Sequence, residues 1–185
     1  MITNGVLNWP NAAITFDPTK RAPTISLTGG NLIATTTGAD GIVLGTVGKS
    51  SGKWYWEINL QAGSNGYSVG CAQVQILYNS VLGAYATGWS YTTFFTGSYK
   101  QNSGTAPPYG TPATVGDTIG VALDMNLNQI TIYKNNISLG VMFTGLYGTI
   151  FPAVGSYLYP ATYLARFSAG SFMFTPPAGF IALTP

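Results

Sequence analysis

The chain is predicted to be all-β, with two antiparallel sheets packed face to face, on three observations. Apolar residues recur at every second position in short runs, the period of a half-buried strand. Gly, Asn, Asp, Ser and Pro separate those runs and suit turns. No segment holds the 3.6-residue period over a helix of ordinary length. The spacing predicts about eleven to thirteen short strands. No repeat at a fixed period is present, which argues against a propeller or a solenoid.

Residues 1 to 15 read as an amino-terminal extension or docking arm, and 16 to 185 as one sandwich domain. Val6, Leu7 and Trp9 precede Pro10 in that extension. Phe16-Asp17-Pro18-Thr19-Lys20 reads as a strand end and turn, because Asp-Pro favours turn initiation. Ile25 and Leu27, then Gly29-Gly30, then Leu32 and Ala34 read as a hairpin. Gly41 to Val47 is a short strand. From Lys53 to Leu60, Trp54, Trp56, Ile58 and Leu60 share one face, which assigns the tryptophans to the core. Glu57 is expected on the opposite face, as a surface or cross-strand partner.

Tyr67, Val69 and Cys71 alternate next, with a bulge or register shift expected near Val74 and Ile76. Residues 78 to 114 are the least regular, rich in Tyr, Thr, Gly, Ser and Pro. Gly116 to Phe143 is the most ordered passage: three alternating runs joined by turns at Asn126–Asn128 and Asn135–Asn136, a β-meander. Asn tolerates positive φ, so Asn135-Asn136 suits a two-residue primed hairpin turn. Its last run places Ile137, Leu139, Val141 and Phe143 in one alternation. Pro152 to Gly155 begins a strand, Tyr157 to Pro160 is a loop, and Tyr163 to Phe167 and Ser171 to Phe174 read as closing strands. Pro176-Pro177 ends regular pairing, and Phe180, Ile181 and Leu183 are expected to cover an open end of the core.

Gly116-Asp117, the alternation after it, and Tyr133-Lys134-Asn135-Asn136 resemble the central signature of the SPRY family. The likeness continues at Gly30-Asn31-Leu32, at Ser51-Gly52-Lys53-Trp54-Tyr55-Trp56-Glu57-Ile58 and at Phe174-Thr175-Pro176-Pro177-Ala178-Gly179-Phe180. These motifs fall in the family's order over about residues 16 to 183. Asn136 stands where the family often has Gly, and either residue suits the turn. The resemblance implies a curved, lectin-like, jelly-roll sandwich that serves as a recognition module, with ligands held by loops at one rim.

Composition narrows the function. Charged residues make up 6% of the 185, against about 25% in ordinary soluble domains. The seven Lys and Arg are scattered rather than clustered, which argues against nucleic acid. No run of 18 apolar residues predicts a membrane span. The strands look too short and unevenly spaced for an outer-membrane barrel. Met1 to Pro10 lacks the basic start and long apolar run of a secretion signal.

Catalysis of most kinds needs titratable groups in contrasted environments. The chain has no histidine, one cysteine and five acids. That excludes a Ser–His–Asp arrangement and zinc sites built on His or Cys clusters. Asp117 and Asp124 point to opposite faces and lie about 23 Å apart if extended, so they do not pair. No catalytic residue, metal or cofactor is predicted. Cys71 reads as a small buried hydrophobe.

The functional expectation is therefore a non-catalytic recognition or structural module. A nearly uncharged, Thr/Asn/Gly/Ser-rich chain also resembles bacteriophage virion accessory proteins, some with SPRY-like domains. That favours a virion surface protein, such as a capsid decoration, head-fibre or tail-associated module, bound to other virion proteins or to itself. The alternatives are an intracellular, cytoplasmic SPRY adaptor binding a peptide through its rim, and a carbohydrate-binding module using loop aromatics. The candidate contact residues are Trp9, Trp89, Tyr91, Phe94, Phe95, Tyr99, Tyr109, Tyr157 and Tyr159.

Overall fold

The computed structural model describes residues 13–185. Fourteen strands and one three-residue 3-10 turn are found among them, and the strands form two sheets. Numbered in chain order, the six-stranded sheet runs β1 (Phe16–Arg21), β4 (Gly41–Gly45), β12 (Phe151–Ser156), β6 (Tyr67–Ala72), β7 (Gly88–Phe94), β8 (Gly97–Gln101). The other runs β11 (Ile137–Thr144), β10 (Gln129–Lys134), β9 (Thr118–Asp124), β5 (Lys53–Gly63), β13 (Ala161–Arg166), β3 (Ile33–Thr36), β2 (Ile25–Thr28). All of these neighbours pair antiparallel; the two-residue β14 (Ile181–Ala182) adds to β5 in parallel.

The core lies between the sheets and follows the expected alternation. Trp56, Ile58 and Leu60 of β5 are buried beside Ile119, Val121 and Leu123 of β9, with Trp56 opposite Val121 and Ile58 opposite Ile119. They pack in one cluster with Val69 and Cys71 of β6 and Val154 of β12. Each such side chain contributes roughly 1.5–3 kcal/mol by leaving water. Tyr163 of β13 binds the two layers together: its hydroxyl donates to the carbonyl of Gly155 on β12 and accepts the Ser68 N–H of β6 at 3.2 Å. A smaller cluster of Ile42, Leu44, Ala72, Ile76, Leu82 and Ala153 forms between the outer face of the six-stranded sheet and the 73–87 connection. This second layer covers Ile42 and Leu44 on the outer face of β4, so that β4 is apolar at consecutive positions and buried throughout.

The meander is as predicted in its turns. Asn135 and Asn136 have φ of 48° and 68° between the paired residues Lys134 and Ile137, the geometry of a type I′ turn. Its last strand differs. Register shifts in the β10–β11 pairing interrupt the alternation, and Gly140 lies in the left-handed region at φ 87°. Met142 is thereby buried, while Ile137 and Val141 are left exposed.

Four further expectations are corrected. Phe16 to Lys20 is not a strand end: β1 continues to Arg21, with Asp17 capping Thr19 locally and the ladder irregular between. Ser171 to Phe174 is not a strand: Ser171 ends the 3-10 turn Ala169–Ser171, and Phe172 to Phe174 run on from it without strand pairing. The reason is Glu57, which is buried rather than at the surface. Its carboxylate accepts the N–H groups of Met173 at 2.7 Å and Phe174 at 3.0 Å, and the Tyr55 hydroxyl at 3.2 Å. These backbone donors thus bond a side chain instead of a neighbouring strand. At the C-terminus, Leu183 is buried as expected, but Ile181 is exposed.

Candidate functional site

One end of the sandwich gathers four short connections: 37–40 between β3 and β4, 64–66 between β5 and β6, 95–96 between β7 and β8, and 157–160 between β12 and β13. They meet there because the ladders are in register. Tyr67 pairs with Thr93 and with Ser156, and Ser156 pairs with Gly41. Side-chain and backbone bonds then tie loop to loop. Ser156 Oγ donates to the Ala39 carbonyl at 2.9 Å, and Tyr157 N–H to the Gly66 carbonyl at 3.3 Å. Gly66 is required by this approach: a Cβ there would lie 2.4 Å from the Tyr157 carbonyl oxygen, and its φ is 69°.

Five rings form a ledge on this rim. Phe94 meets Tyr157 edge-on at 5.3 Å between centroids and Tyr99 at 5.9 Å in a tilted arrangement. Phe95 meets Tyr159 edge-on at 5.4 Å. Such contacts hold each ring in a defined pose. Phe94, Tyr99, Tyr157 and Tyr159 are half-buried, whereas Phe95 is 71% exposed. Between the two tyrosines, Leu158 is also exposed.

The other sequence candidates are not part of this ledge. Trp89 is a core residue, 4% exposed, at the far end of β7, packed edge-on against Tyr147. Tyr91 is likewise buried. Its hydroxyl donates to the Thr111 carbonyl, and burial pushes its ionisation up to about 12. Neither offers a ring face to a ligand, because both alternate inward on β7. Tyr109 packs edge-on against Tyr91 and donates to the Gly140 carbonyl at 2.6 Å, closing the seam between the 102–112 segment and β11. Trp9 lies outside the described residues.

Each of the five acidic side chains is engaged within the fold. Asp17 pairs with Lys20 at 2.8 Å, Asp124 with Lys53 at 3.1 Å and Asp117 with Lys134 at 3.4 Å. Glu57 holds backbone, and Asp40 lies beside the Leu158 N–H at 3.4 Å. Among the described residues no three His, Cys, Asp or Glu side chains converge. Cys71 is fully buried and burial pushes its thiol well above the usual range. Leu158 and Asp40 were missed by sequence reasoning. The available signal for Leu158 was an aliphatic residue between two tyrosines in a loop.

A model of the SPRY domain matches residues 53–176. The chain is 33% identical over 115 residues to the Arabidopsis thaliana E3 ubiquitin-protein ligase RKP, covering 62% of this chain and 9% of the ligase. It is 34% identical over 110 residues to the Homo sapiens 3-keto-steroid reductase/17-beta-hydroxysteroid dehydrogenase 7, covering 59% of this chain and 30% of that protein. The chain thus spans less than a third of either relative, and the activities in those names are those of the whole proteins. The SPRY domain of human HERC1 shares the fold, with a TM-score of 0.69 at 20% identity over 81% of this chain and 96% of that one. Nothing in these comparisons supports the bacteriophage virion association expected from composition. On the match across 53–176 and the two-sheet architecture, this chain belongs to the SPRY domain family.

Proposed function

We propose that this chain is a recognition module that binds a protein partner through the rim built by residues 37–40, 95–96 and 157–160, in the manner of a SPRY adaptor. The observation that carries this reading is the ledge of Phe94, Phe95, Tyr99, Tyr157 and Tyr159, assembled from separate strands and turns on a rigid scaffold. Irregular segments on a packed sandwich are the usual place for binding residues. Aromatic rings with exposed edges and hydroxyls supply large contact area at small cost in conformational entropy.

The test is a screen of a random-dodecapeptide display library against the whole chain, repeated with Phe95→Ala. Peptides that bind the parent and lose about tenfold or more in affinity to the variant support the reading. No enrichment, or binding indifferent to Phe95→Ala, defeats it.

A further inference from the structure

Leu158 adopts φ 62°, in the left-handed region, yet its side chain is 58% exposed. A leucine there is strained by contact between Cβ and the backbone, and Gly or Asn would meet the same geometry more easily. Strain of this kind is normally supported by packing of the side chain into the fold. Here the side chain projects away from it. Its amide faces Asp40 Oδ1, and the flanking rings of Tyr157 and Tyr159 are held by Phe94 and Phe95. The loop therefore holds an isobutyl group outward between two fixed tyrosines.

The charge content of the rim limits what it can meet. Across residues 36–40, 63–67, 94–99 and 156–161 the one charged residue is Asp40. A partner carrying several charges would lose hydration here and regain almost no ion pairs. An oligosaccharide would want convergent amides and carboxylates for its hydroxyls; the one side-chain amide in these segments, Asn65, is 6% exposed.

We infer that Leu158 is the apolar anchor of the rim, and that the partner segment it takes is an uncharged peptide presenting apolar side chains. This rests on the rim being the binding surface. The probe is again the random-dodecapeptide display library, with Leu158→Gly, Leu158→Asn, Leu158→Met and Phe95→Ala compared for affinity and melting temperature. Enriched peptides should be apolar and without net charge. Leu158→Gly and Leu158→Asn should melt no lower than the parent while losing about tenfold or more in affinity; Leu158→Met should retain binding within about threefold. Dissociation constants should change less than about twofold between roughly 0.05 and 0.5 M NaCl.

If Phe95→Ala abolishes binding and both the Gly and Asn variants leave it intact, the rim stands and the Leu158 anchor falls. If none of the substitutions alters affinity, both fall. Enrichment of lysine- or arginine-rich peptides, a tenfold loss of affinity with salt, or glycan-array binding that Phe95→Ala removes would each overturn the assignment of an uncharged peptide.

Discussion

Asp117 and Asn135 are bonded to one another across the edge of the meander: Asn135 Nδ2 donates to Asp117 Oδ1 at 2.6 Å. Asn135 Oδ1 accepts the Thr118 N–H at 2.9 Å, and Asp117 Oδ2 accepts the Thr114 N–H at 2.8 Å. The Gly-Asp and Lys-Asn-Asn motifs, 18 residues apart in sequence, are therefore two halves of one clasp. It orders the entry to β9 and the turn from β10 to β11.

Burial raises the Asp117 carboxyl, but its bonds to the Thr114 amide, Asn135 and Lys134 outweigh this and lower its ionisation below the ordinary 3.8. A depressed folded value means the unfolded chain takes up the proton first as pH falls. The stabilisation is complete above the ordinary carboxylate range and is lost as pH drops through the folded value. Asp117→Asn should cost about 1–3 kcal/mol near neutral pH. It should also flatten the fall in stability below about pH 4. Urea unfolding at a series of pH values measures both; an unchanged slope below that pH would refute the linkage.

Glu57 holds the chain after β13 against the sheet by two amide bonds. Glu57→Leu leaves both donors without their acceptor, and a loss of about 2–4 kcal/mol is expected. Hydrogen exchange should accelerate at Met173 and Phe174 well before it does in β9. Protection unchanged at those two amides would show that the carboxylate is not what holds them.

Trp89 and Phe95 lie near opposite ends of β7 and should separate stability from recognition. Trp89→Ala opens the core and should cost about 3–5 kcal/mol. Phe95→Ala removes an exposed ring and should stay within about 0.5 kcal/mol. Thermal melts of the two variants decide this; similar losses in both would contradict the burial pattern.

Cys71, buried on β6 with its thiol raised by desolvation, should resist alkylation in the native chain at pH 8 and react fully in denaturant. Mass spectrometry after iodoacetamide treatment reports it. Rapid native labelling would require β6 to open locally.

The two-sheet fold, the meander with its Asn135-Asn136 turn, and the core assignment of Trp56 and Ile58 were all legible in the residues. The signal is local there: alternation selects a face, and asparagine accepts the backbone that the turn needs. The rim was legible only in part, since Phe94, Phe95, Tyr99, Tyr157 and Tyr159 carry the same sequence signal as Trp89 and Tyr91. An aromatic residue looks the same in sequence whether it turns inward or outward, and it was the register of β6, β7 and β12 that separated them. Glu57 does lie on the face opposite Trp56, but its burial was not legible because the backbone that covers it is 116 and 117 residues away. Local pattern determined which segments became strands. Pairing between distant strands decided which side chains were left facing water, because that depends on what the chain brings back to cover them.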